Sequence, residues 1–159
     1  MLFLGNDYDK FLNMKLGHKT PPNLKEQIRK AAINLIENKD VDVFLVGEKG
    51  SYEVDAYDTI LEVQKEYPQI RIHLIISNIT DLHEIGSVYC EKCTERRGFD
   101  EFILPPKCEF GYKKLCIVYR NRYIIENTDF IIAYNNHKGR AYEFCKIAQA
   151  KGVQVIELA

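Results

Sequence analysis

The chain lacks a charge excess of either sign, an apolar run long enough to cross a bilayer, and a cysteine set that pairs off evenly. In its 159 residues, Lys and Arg number 22 against 23 Asp and Glu, a net charge of -1. No overall basic field is available to hold a nucleic-acid backbone, so long polyanions, DNA among them, are not expected partners. No apolar stretch approaches the roughly 20 residues that span a bilayer, and the Met-Leu-Phe-Leu-Gly start turns polar at once. A soluble, unexported protein with no membrane partner is therefore expected, with the cytoplasm as its place. Five cysteines, an odd number that includes one CxxC pair, fit a reducing compartment better than a disulfide framework. Internal repeats, low-complexity tracts and a GxGxxG fingerprint are also missing from the sequence.

What is present reads as one domain over residues 1–159, large enough to bury a core without disulfides or metals. Leu24, Ile28, Ala31, Ala32, Leu35 and Ile36 fall on one face at helical spacing after Pro21 and Pro22. Tyr52, Ala56, Ile60, Val63 and Tyr67 form a second stripe that begins at Ser51 and stops at Pro68. Helices are also expected over residues 113–127 and 140–151, the latter closed by Gly152 in the C-cap position. Between them lie β-rich runs at residues 2–4, 41–46, 70–76, 129–134 and 153–158. Mostly apolar strands alternating with amphipathic helices predict an α/β, Rossmann-like three-layer sandwich with a mostly parallel five-stranded sheet. Residues 78–111 show weak periodicity and are expected to form an irregular cap over the carboxyl edge of the sheet.

Ligands of open α/β sheets bind at that carboxyl edge, which singles out the loops leaving the strands. Gly5 follows the first strand, and Gly47, Gly50 and Ser51 follow the second and open a helix, where free backbone N–H groups attract phosphate or carboxylate. The plain alternative is a tight strand-to-helix turn. Arg120, Asn121 and Arg122 precede the fourth strand; Asn135, Gly139, Arg140 and Glu143 follow it. Arg120 and Arg122 read equally as surface partners of carboxylates, and Glu143 as an acid favoured by the dipole of its helix. Ala141, Phe144, Cys145 and Ala148 mark a core face with Glu143 at its border. Tyr52, Tyr119, Tyr134 and Tyr142 fall near the edge, where an aromatic face can stack on a base. His137 lies in the loop at that edge and reads as solvated or as a ligand contact. Cys90, Cys93, Cys108 and Cys116, with His83 as another possible ligand, raise structural zinc against the reading of reduced, partly buried thiols.

Three stretches together resemble the SLOG superfamily: Val46-Gly-Glu-Lys-Gly-Ser-Tyr-Glu53, Tyr119-Arg-Asn-Arg-Tyr-Ile-Ile-Glu-Asn-Thr-Asp129 and Ala133-Tyr-Asn-Asn-His-Lys-Gly-Arg-Ala-Tyr-Glu-Phe144. The likeness, supported by Ala148-Gln-Ala-Lys-Gly152, covers roughly residues 41–77 and 112–158 and is closest to small bacterial members. That superfamily includes DNA-processing protein A, the Lonely Guy phosphoribohydrolases and nucleotide-sensing domains of antiviral signalling systems. The resemblance implies a Rossmann-like, SLOG-type nucleotide-binding domain, commonly a homodimer or higher oligomer. In Lonely Guy enzymes an Arg and a Glu at positions similar to Arg120 and Glu143 serve cleavage of a nucleoside monophosphate. The Pro-Gly-Gly-x-Gly-Thr loop of those enzymes is replaced here by Asn135-Asn-His-Lys-Gly139-Arg140, which weighs against hydrolysis more than against binding. The expectation is a module that senses or sequesters a nucleotide-derived small molecule and requires no cofactor. The alternatives are a Lonely Guy-like N-glycosidase using Arg120 and Glu143, and a zinc-stabilised protein-interaction module.

Overall fold

Neighbouring apolar residues in these strands are buried on opposite sides, because successive side chains of a strand point to opposite faces. A computed structural model describes residues 2–5, 23–47, 51–75, 101–103, 113–135 and 138–159. Four helices are seen among them: α1 (Leu24–Lys39), α2 (Ser51–Glu66), α3 (Lys113–Asn127) and α4 (Arg140–Ala150). The strands are β1 (Leu2–Gly5), β2 (Val43–Gly47), β3 (Arg71–Ile75), β4 (Glu101–Ile103), β5 (Phe130–Tyr134) and β6 (Gln154–Leu158). They form one six-stranded sheet in the order β4-β3-β2-β1-β5-β6, with every pairing parallel.

Two expectations are corrected by this sheet. Six strands are seen among the described residues rather than the expected five, and one of them falls in the span expected to be an irregular cap, while the all-parallel described pairings agree with the mostly parallel sheet expected. The added strand, β4, comes from within residues 78–111, expected to be an irregular cap; it pairs with β3 through His73↔Glu101, Leu74↔Phe102 and Ile75↔Ile103. The rest of that span lies outside the described residues.

Phe44, Val46, Ile72 and Ile132 pack with α1 and α2 on one face of the sheet. Leu45, Ile75, Ile131 and Ala133 pack with Ile124 of α3 and with Phe144, Cys145 and Ala148 of α4 on the other. Burial on both faces is why the strands read as continuous apolar runs. Helix ends follow local chemistry. Asn23 and Asp40 flank α1 in the left-handed conformation (φ 65° and 52°), which their short polar side chains tolerate. After α4 the chain turns at Gly152 (φ 92°), where Val153 N–H bonds to Ala148 O at 3.1 Å and Gly152 N–H to Gln149 O at 3.0 Å. Those two bonds make a Schellman turn, which places Gly152 one position beyond the C-cap, Lys151.

From β1 the chain builds outward to β4, then returns to add β5 and β6 on the other side of β1. The order therefore reverses between β1 and β5, where Gly5 and Tyr134 are register partners at the carboxyl edge. A crevice for a ligand opens at such a reversal in doubly wound sheets. Among the described residues, no helix is long and apolar enough to cross a membrane.

Candidate functional site

β2 ends at Gly47 under two charged side chains from opposite layers of the molecule. A Cβ placed on Gly47 would lie 2.9 Å from Arg120 Nη2 and 3.1 Å from Glu53 Cγ. Glycine leaves room for both side chains here. Arg120 reaches the strand end from α3 on one face, and Glu53 reaches the same point from the first turn of α2 on the other. Glu53 is only 7% exposed, and Glu53 Oε2 and Arg120 Nε are both buried. A buried carboxylate is tolerated when a cation or hydrogen-bond donors compensate it, and the Arg120 guanidinium comes to the same strand end. Chemically the pair offers a fork of N–H donors for an anion beside an acceptor for hydroxyl or amine donors.

Tyr52, next to Glu53, is fully buried; its hydroxyl donates to Ile132 O at 3.1 Å, and its ring stacks on Tyr134 with centroids 6.2 Å apart. Burial first, then the charge of Glu53 and then Cys145, push the Tyr52 phenol well above its ordinary range, so it remains a donor at any physiological pH. Tyr52→Phe is expected to destabilise the fold by about 1 kcal/mol, the usual worth of such a bond. Urea unfolding checks this; an unchanged midpoint would show that the hydroxyl holds nothing.

Beyond Tyr134, Asn135 donates from Nδ2 to Cys145 Sγ at 3.7 Å, while its Oδ1 is buried with no hydrogen-bond partner among the described residues. Cys145 is buried on the core face of α4, as the sequence pattern predicts. Burial raises its thiol above the ordinary range, the Asn135 bond and Lys146 acting against this and Glu157 with it. A raised pKa means less thiolate, so Cys145 in the native protein is expected to alkylate at least about tenfold more slowly at pH 8 than in denatured protein. Brief iodoacetamide labelling followed by peptide mass mapping reads both rates; equal rates would contradict the burial.

The sequence-predicted residues divide into two groups. Gly5, Gly47, Arg120 and Asn135 come to the carboxyl edge, with Ser51 opening α2 beside them. Asn121, Arg140 and Glu143 instead line, with Arg122, an outer groove of about 690 Å³ between α3 and α4. On α3, Arg120 thus faces Gly47, while Asn121 and Arg122 face α4. The carboxylate that converges with Arg120 is Glu53, not Glu143. Gly139 immediately precedes α4. Gly50, His83, Cys90, Cys93, Cys108 and His137 lie outside the described residues, and Cys116 falls within α3. Among the described residues, no group of three or more His, Cys, Asp or Glu side chains is placed to hold a metal. The missed residue, Glu53, had one signal: an acid in the first turn of the helix that leaves β2.

Fold and site together define an α/β protein with Arg120 and Glu53 at the carboxyl end of β2, beside the point where its strand order reverses. Compared with protein-family models and with curated proteins, the chain matches none.

Proposed function

We propose that the protein is a Rossmann-like, SLOG-type module that binds a nucleotide or nucleotide-derived small molecule at this edge, as a sensor or a sequestering protein. The observation that carries the reading is the convergence of Arg120 and Glu53 on Gly47 at the carboxyl end of β2. Arg120 is suited to a phosphate, because its guanidinium presents paired donors at the spacing of phosphate oxygens. Glu53 is suited to sugar hydroxyls, which are donors that phosphate lacks. The Tyr134 ring and the Asn135 amide, next to Gly5 across the strand reversal, lie where a base can stack and be hydrogen-bonded.

A second reading, hydrolysis of an N-glycosidic bond, passes from Glu143 to Glu53. A carboxylate working on the sugar must share a site with the group that holds the phosphate, and the approach of Glu53 and Arg120 to Gly47 supports Glu53 in that role. Ultrafiltration of the protein with mixed nucleoside monophosphates, ADP-ribose and cyclic nucleotides, followed by mass spectrometry, tests both readings. The binding reading expects one compound retained intact and released unchanged on denaturation. Free base with ribose 5-phosphate would establish the hydrolase, and no retention with no turnover would contradict both.

A further inference from the structure

Asn135 Oδ1 is a buried acceptor with no donor among the described residues, and it follows β5 at the carboxyl edge, beside the strand reversal. An acceptor withheld from water and left without a hydrogen bond is costly, so in a native fold it calls for a partner. The nitrogen of the same amide is already engaged, donating from Nδ2 to Cys145 Sγ at 3.7 Å. Cys145 is 1% exposed and clusters with Ile131 and Ala133 of β5 and with Phe144 and Ala148 of α4, which fixes the sulfur in place. The contact turns the amide toward the layer of α3 and α4, the side of the sheet from which Arg120 reaches the end of β2.

Arg120 stands over the end of β2 and Asn135 just past the end of β5, with β1 between the two strands. Two strand spacings separate those ends, about 10 Å. A nucleoside monophosphate reaches across such a distance from its phosphate to the far edge of its base. With Nδ2 drawn to the sulfur, the atom of the amide still in need of a partner is the acceptor Oδ1. An exocyclic amine, as on adenine or cytosine, projects beyond the ring and donates to such an atom; the keto oxygen that replaces it on hypoxanthine or uracil sets lone pair against lone pair. Sites that hydrogen-bond a particular N–H reject the analogue lacking it, because the buried group is then left unpaired.

We propose that Asn135 selects nucleotides whose base carries an exocyclic amine over their keto counterparts, with Cys145 as the positioning residue that orients the amide. The inference rests on the nucleotide-binding reading and specifies the base. Titration calorimetry of the full chain with matched pairs tests it: AMP against IMP, CMP against UMP, and ADP-ribose against its hypoxanthine analogue. In the pair that binds, the amino member is expected to bind at least about tenfold more tightly. Asn135→Ala is expected to bring the two members within about twofold by weakening the amino member alone. Cys145→Ala frees the amide to turn its nitrogen to a keto oxygen, so it is expected to narrow the ratio by strengthening the keto member; Cys145→Ser keeps an acceptor for Nδ2 and is expected to preserve the ratio. Equal binding of both members by the wild type overturns the inference and leaves the nucleotide reading standing. A preference for the keto member, or a ratio that Asn135→Ala leaves unchanged, overturns it as well. Cys145→Ala weakening both members alike would remove Cys145 from the selection. Binding of none of these compounds overturns the inference together with the nucleotide reading.

Discussion

Arg120→Ala is expected to weaken binding of the retained nucleotide by roughly ten- to a hundredfold, the worth of about 1.5–3 kcal/mol for hydrogen bonds to a charged group. The guanidinium reaches the end of β2, and alanine removes its donors from above Gly47. The loss should fall on compounds that carry a phosphate, with the free nucleoside affected little. Gly47→Ala should act in the same direction and more weakly. Its methyl would lie 2.9 Å from Arg120 Nη2, the far end of a flexible side chain that can swing away, and 3.1 Å from Glu53 Cγ, which is nearer the backbone and yields less. Isothermal titration of both variants reads the effect. Arg120→Ala binding as tightly as wild type would remove the guanidinium from the site.

Phe44→Ala is the substitution expected to cost most in stability, about 3–5 kcal/mol. Phe44 is wholly buried on the face of β2 that packs against α1 and α2, so truncation leaves a cavity between the sheet and that layer. Against a total stability of about 5–15 kcal/mol, such a loss removes a large part of the margin. The melting temperature should fall by roughly 6–20 °C, given about 2–4 °C per kcal/mol for a chain of this size. Gln149→Ala, on the exposed side of α4, should stay within about 0.5 kcal/mol. Thermal unfolding followed by circular dichroism separates the two; similar small shifts would mean that the layer above Phe44 is loosely packed.

The helices were legible because local periodicity and burial agree. Leu24, Ile28, Ala32, Leu35 and Ile36 are predicted as a stripe and found buried, and only Ala31, at the border of the stripe, is partly exposed. β4 was not legible. Its three residues are too few to show alternation, and it becomes a strand only by pairing with β3. The carboxyl edge could be read from loop positions, since Gly5, Gly47, Arg120 and Asn135 reach it. The partner of Arg120 could not. Glu53 and Arg120 come from helices on opposite faces and both reach Gly47, the end of the strand between them, which carries no side chain. The family resemblance joins Arg120 to Glu143 instead, and those two residues look in different directions from α3 and α4.

We propose Glu53, with Arg120, as the carboxylate of the ligand site. Its most direct test is titration of the retained nucleotide into wild type, Glu53→Gln and Glu143→Gln side by side, each checked by circular dichroism for a native fold. Glu53→Gln is expected to lose roughly tenfold or more in affinity, while Glu143→Gln stays within about twofold of wild type. Lost binding in Glu143→Gln with full binding in Glu53→Gln would contradict the account and return the site to the groove between α3 and α4.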